Sequence, residues 1–202
     1  MDFSEYISLF AIRPSFCGRA AIFFKEVFFM TNEVLETIKK RRSVRAYKPD
    51  AVPQELLREI CEAGTYAPTG GGRQSPTIIA VTTEKYRNEL ARLNAEVVGK
   101  DTDPYYGAPV IILVLAEGTA STFVEDGSCV LENMMLAAAS LELGSVWVHR
   151  EREIFDSENG KALLREWGLD ETLRGVGSIA LGYPASEPGE PAKRKDNYVV
   201  IV

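Results

Sequence analysis

The residues with the most chemical potential in this 202-residue chain lie in "KKRRSVRAY", positions 39–47. Arg41, Arg42, Ser43 and Arg45 combine guanidinium groups with a hydroxyl, a set that holds a phosphate monoester through charge-assisted, bidentate hydrogen bonds. In an extended segment Arg41, Ser43 and Arg45 alternate to one side and could converge on one anion. Lys39, Lys40 and Lys48 lengthen the run, and basic residues also suit the negative end of a helix dipole, so a solvated helix end competes with the phosphate site. A nucleic-acid arm is the third alternative. The formal net charge of -6 argues against it, because phosphate backbones are bound by net positive surfaces.

Three other segments offer chemistry. In "APTGGGRQSP" (67–76) the run Gly70, Gly71, Gly72 lets a backbone approach a ligand and present its N–H groups. A flexible surface turn would have the same composition. The spacing is not GxGxxG and the loop precedes a strand, which excludes the dinucleotide fingerprint. In "LGSVWVH" (143–149) Trp147 and His149 flank Val148. A core tryptophan and a structural histidine are the plain alternatives to a ligand-facing pair. In "PAKRKD" (191–196) Lys193, Arg194 and Lys195 are either a solvated linker run or the second half of an anion site. His149 is the single histidine, and neither HExxH nor GxSxG occurs, so neither a metal centre nor a catalytic triad is expected. Cys17, Cys61 and Cys129 are scattered without a CxxC pair, as reduced thiols in the small core positions of a cytoplasmic protein would be.

These segments need elements to position them. Thr31 is a candidate N-cap for a helix over 32–42, with Val34, Leu35 and Ile38 on one face. Pro53 opens a second helix that stops at Ala67-Pro68. A short strand over 77–83, a helix over 84–98 and a doubly apolar strand over 108–117 follow. The helix over 122–143 is apolar around much of its circumference and should be buried nearly all round. "GSVWV" (144–148) reads as a strand or extended turn. A helix near 158–168, a strand over 175–184 and a last strand, "YVVIV" (198–202), complete the chain. The pattern is α+β or mixed α/β around one sheet, in a single domain of 30–202. Residues 1–29, rich in Phe and ending before Met30, read as an N-terminal extension or a start-site artefact, since Arg13-Pro14 and Arg19 break any signal-peptide core. No run is long enough for a membrane helix.

Taken in order, "RRSVRAY", "APTGGGRQSP", "APVIILV", "DGSCVLENMMLAAASLELGSVWV" and "GYP…KRKD" resemble the FMN-dependent nitroreductase family from Met30 to Val202. The resemblance implies an α+β fold with a mostly antiparallel central sheet flanked by helices. It also implies an intertwined homodimer, a C-terminal arm paired with the partner, and FMN at the interface. FMN would take hydride at N5 from NADH or NADPH and reduce a nitroaromatic, a quinone or a similar small acceptor by a ping-pong scheme. Carried over by motif, Arg41, Arg42 and Ser43 would hold the FMN phosphate, with Arg194 and Lys195 joining from the tail. Arg45 would reach the pyrimidine side. Pro68, Thr69, Gly70 and Gln74 would come from the partner. Trp147, Val148 and His149 would border the isoalloxazine, with the His149 backbone N–H near N5. No side chain is cast as a catalyst, since the chemistry belongs to the flavin.

The chain also departs from the family pattern. Gly72 stands where members often have Asn, Ser75-Pro76 replaces an aromatic, and the cations of "PAKRKD" are spaced differently, leaving open which of Lys193, Arg194 and Lys195 meets phosphate. The short segment before the 122–143 helix implies an open site without extra lid helices. A flavin-binding or storage module without turnover and a specialised relative such as a dehalogenase are the competing functions.

Overall fold

The computed structural model describes residues 32–202. The expected extension at 1–29, the start at Met30 and the Thr31 cap lie outside the described residues. A unit boundary falls between Glu36 and Thr37, so the turn 32–36 is described by itself. There the Asn32 side chain does the capping, its Oδ1 accepting from the Leu35 N–H at 3.0 Å. Helix α1 (Glu33–Lys40) ends in Lys39 and Lys40, as its dipole favours, and leaves Arg41 and Arg42 beyond its last turn.

The main body, Thr37–Val202, is organised by a four-stranded sheet of β1 (Pro76–Val81), β2 (Val110–Glu117), β3 (Gly144–Val148) and β4 (Leu173–Gly182). Its order is β1-β2-β4-β3, and every neighbouring pair is antiparallel. Strand β2 is apolar on both faces because both are covered. Val110, Ile112, Val114 and Ala116 join the core under α2 (Gln54–Thr65) and α4 (Phe123–Ser140). Ile111, Leu113 and Leu115 join the core under α3 (Glu84–Val98), α5 (Glu151–Asp156) and α6 (Glu158–Glu166). Each of the Val, Ile and Leu side chains among them contributes about 1.5–3 kcal/mol on burial. The β2–β4 register shifts once: Val114 faces Gly177 and Leu115 faces Gly175, so Val176 is the extra residue of a bulge.

Three expectations are corrected. Within one chain helix α4 is not buried all round: Val130, Leu131, Met134, Met135 and Ala138 form a buried stripe, whereas Cys129 and Glu132 are exposed and Leu136 is half-buried, because the sheet and α2 together cover only part of its circumference. The region before 158 is helical too. Ser157 splits it into α5 and α6 and caps α6 by accepting from the Gly160 N–H. Within this chain the terminal "YVVIV" is not a strand; its side chains are exposed, Ile201 to 93%. At the β3 edge of the sheet the place of a neighbour is taken by the Ser43–Val44 segment, whose Val44 N–H donates to the Ser145 carbonyl at 3.0 Å. Among the described residues no helix is long and apolar enough to cross a membrane, and no group of three His, Cys, Asp or Glu is placed to hold a metal ion.

Candidate functional site

After α1 the basic segment becomes extended and is fastened to the sheet. Ser43 bridges Ser145 of β3, and Tyr47 bridges Pro184 beyond β4. Lys48 N–H donates to the Tyr183 carbonyl at 2.9 Å, and Ala185 N–H to the Ala46 carbonyl at 3.0 Å. Val44 is buried against Gly144, where a Cβ would come within 2.9 Å of the valine side chain, so only glycine admits this approach. The Tyr47 hydroxyl lies 2.7 Å from the Val44 carbonyl and 2.9 Å from that of Ala180. Burial pushes that hydroxyl well above the ordinary tyrosine range, against the nearby Arg45 charge, so it remains a donor and pins the segment.

Fastened this way, the cations divide between two adjoining concavities. Arg41 lines a cavity of about 570 Å³ with Lys40, Lys48, Glu142 and the Tyr183–Pro188 segment. Ser43 and Arg45 line a neighbouring groove of about 510 Å³ with residues 186–190, and Arg42 borders both. Arg41, which follows the last helical residue Lys40, thus lines one concavity and Ser43 and Arg45 the one beside it. The Arg42 fork is largely used on backbone: Nη1 donates to the Lys39 and Arg41 carbonyls at 2.6 and 2.7 Å, and Nε to that of Gly189 at 3.3 Å. Arg41 differs, since its Nη1 is buried with no hydrogen-bond partner. Arg194 folds onto its own Ala192 carbonyl and Lys195 lies over the Tyr198 ring, so both stand apart from Arg41 within this chain.

The glycine loop sits elsewhere. Gly70–Gly72 form a short 3-10 turn in which Gly71 and Gly72 take positive φ, and Gln74 does so without being glycine. The loop is held by Asp126, buried in the first turn of α4, which sequence reasoning did not single out. Its Oδ1 accepts from the Gly70 N–H at 2.9 Å, and its Oδ2 from the Thr122 and Ser75 hydroxyls at 3.2 and 3.4 Å. Thr69 Oγ1 accepts from the Gln74 N–H at 3.0 Å. Asp126 and Ala139, which lines the Arg41 cavity, are separated by about 20 Å of helix at 1.5 Å per residue. Pro68, Thr69, Gly70 and Gln74 thus lie at the end of α4 remote from Arg41 in the same chain.

At the end of β3, Trp147 is half-buried in the core on the α4 side, Val148 is buried on the opposite face and His149 is exposed. Glu151, another residue the sequence did not announce, is fully buried two positions beyond His149. Its Oε1 accepts from the Ser178 hydroxyl at 2.6 Å and the Tyr105 hydroxyl at 3.0 Å, and its Oε2 has no partner. Burial pushes this carboxyl up to about 7, only partly offset by the Ser178 and Tyr105 donors.

Comparison with known proteins agrees with this architecture. The Nitroreductase family model matches residues 38–183. A nitroreductase of Bacteroides fragilis, solved with bound FMN, superposes with a TM-score of 0.79 at 34% identity, covering 85% of this chain and 100% of that one. An FMN-bound nitroreductase of Desulfitobacterium hafniense gives 0.76 at 25% identity, covering 86% and 100%. An NADPH-flavin oxidoreductase of Vibrio harveyi is 29% identical over 182 residues, 84% of this chain and 73% of that protein. With the motif order, the antiparallel sheet and a family match over most of its length in agreement, the chain belongs to the Nitroreductase family.

Proposed function

We propose that the chain is an FMN-dependent oxidoreductase that takes reducing equivalents from NADH or NADPH and passes them to nitroaromatics, quinones or similar small acceptors in a ping-pong sequence. The observation that carries this reading is the buried, unpartnered Nη1 of Arg41 in a cavity shared with Lys40, Arg42 and Lys48. A buried charged donor without an acceptor is costly, and phosphate oxygens are the acceptor its geometry suits. The residues present therefore fit an FMN phosphate, and FMN, when bound, supplies the hydride chemistry.

In this reading Arg41 supplies direct phosphate hydrogen bonds, Arg42 shapes the loop and adds charge, and Ser43 offers its hydroxyl from the adjoining groove. Arg45 places a cation on the pyrimidine side, where negative charge on the reduced ring is stabilised. Val148 is buried, so what the 147–149 segment offers a ring is chiefly backbone and the exposed His149. Pro68, Thr69, Gly70 and Gln74 come from a second copy, since α4 holds them away from the Arg41 of their own chain. A homodimer also gives cover to Leu136 and to the exposed apolar tail at 198–202. Arg194 and Lys195, which stand apart from Arg41 in their own chain, are assigned to the phosphate as the continuation of the segment whose Gly189 carbonyl accepts from Arg42. The free thiols Cys61 and Cys129 suit a reducing, cytoplasmic setting.

The test is the visible spectrum of the purified protein. Stoichiometric FMN that NADH or NADPH bleaches and a quinone restores supports the reading. Arg41→Ala should lower FMN affinity ~10- to 100-fold, the equivalent of one or two charge-assisted hydrogen bonds. A colourless protein that takes up no added FMN, or an Arg41→Ala variant with unchanged affinity, overturns it.

A further inference from the structure

The end of β3 is over-determined in a way its exposed position does not require. Arg150, which is not glycine, sits at φ 94°, ψ 4°, a left-handed conformation. For a non-glycine residue that costs about 1–3 kcal/mol and persists only where the surroundings impose it. The surroundings here are three side chains, from α3, from β4 and from the turn before β2. Asn94 of α3 donates from Nδ2 to the His149 carbonyl at 2.8 Å. Ser178 of β4 places its hydroxyl 3.4 Å from the Val148 carbonyl and 2.6 Å from Glu151 Oε1. Tyr105, fully buried before β2, donates to the same Oε1 and lies 3.4 Å from Asn94 Nδ2. Gly175, at the bulge of β4, allows α5 to lie against the sheet, because a Cβ there would collide with the Glu151 backbone.

The consequence is directional. A trans peptide is planar, so the N–H of Arg150 points opposite to the carbonyl of His149. By holding that carbonyl inward, Asn94 turns the Arg150 N–H outward, to the side on which His149 is exposed. Helix α5 follows immediately, and Glu151 anchors it through the two hydroxyls, so the peptide cannot rotate without breaking buried hydrogen bonds.

We propose that Asn94, Tyr105, Ser178 and Glu151 form a positioning network that fixes the backbone of Val148–Arg150 toward the flavin, setting both FMN affinity and the potential at which it is reduced. The inference rests on the FMN reading above. None of the four side chains is a catalytic residue; they act through the backbone they hold.

The experiment measures FMN dissociation constant and midpoint potential for the wild type, Asn94→Leu, Ser178→Ala and Glu151→Gln, each checked for fold by circular dichroism. Asn94→Leu should weaken FMN binding about tenfold, the equivalent of one lost hydrogen bond, and shift the potential. Ser178→Ala removes only a hydroxyl and should move both readouts in the same direction by less. Glu151→Gln keeps an acceptor for both hydroxyls and should stay within about twofold of wild type. If Asn94→Leu does not fold, Ser178→Ala carries the decision. Folded Asn94→Leu and Ser178→Ala variants with wild-type affinity and potential overturn the network's role while leaving the FMN reading intact. A wild type that binds no FMN overturns that reading and this inference together.

Discussion

Two buried carboxylates, Asp126 and Glu151, anchor the two parts of the candidate site in different ways. Asp126 uses both oxygens, one for a backbone N–H and one for two hydroxyls, and so ties a glycine-rich loop whose φ angles are positive at three positions. Glu151 gathers both its donors on one oxygen and leaves the other bare in a fully buried place. A buried carboxylate is tolerated in proportion to the donors it collects. Asp126 is therefore built as a fixed anchor, whereas Glu151 is balanced between its charged and neutral forms.

The largest expected effect breaks the first anchor. Asp126→Ala strips the Gly70 N–H and the Thr122 and Ser75 hydroxyls of their acceptor and should cost ~3–4 kcal/mol in urea unfolding, since each buried group left unpaired costs about 1–3 kcal/mol. A loss below about 1 kcal/mol would remove Asp126 as an anchor. The second effect concerns titration. Burial raises the folded-state value of Glu151 from the ordinary carboxyl value of 4.5 to about 7, so the native state holds its proton more tightly than the unfolded chain. That stability is fully present below pH 4.5 and is lost as pH rises through 7, amounting to roughly 3 kcal/mol. Glu151→Gln should lack this component, so the difference between wild type and variant should fall across that window. A pH-independent difference would show that the carboxyl is ionised throughout. The smallest effect sharpens the contrast. Tyr105→Phe withdraws one donor and should cost ~1 kcal/mol, more above neutral pH than below it, while moving the Glu151 midpoint higher. A midpoint that moves down would contradict the assigned hydrogen bond.

Why these acids were invisible in the sequence is instructive. Strand β2 and helix α3 declare themselves through apolar pattern, and the match at 84–98 is complete because one face alone is buried. The cations of 39–48 stand out by number as candidates for an anion site, although Arg41, directly after the last helical residue Lys40, lines a different concavity from Ser43 and Arg45. A carboxylate is different: Asp126 in "VEDGS" and Glu151 in "HREREIF" look like ordinary first-turn acids suited to a helix dipole. Only tertiary contacts with Gly70 and Ser178 make them interior. Helix α5 was missed for a related reason, since six residues are too few to display a helical period. The tail at 198–202 has strand composition, but a strand is a property of a pair of segments and composition describes only one of them.

The length of α4 has a further consequence. With the glycine loop and the cationic cavity held at its opposite ends, no rearrangement of loops in a single chain can close both around one ligand. On the proposed reading, flavin retention then becomes a function of protein concentration. Dilution that separates the copies opens both sites at once, and added FMN stabilises the assembly by mass action as much as it fills a site. Titrating the protein downward at fixed FMN would therefore show cofactor release and subunit dissociation at one and the same concentration.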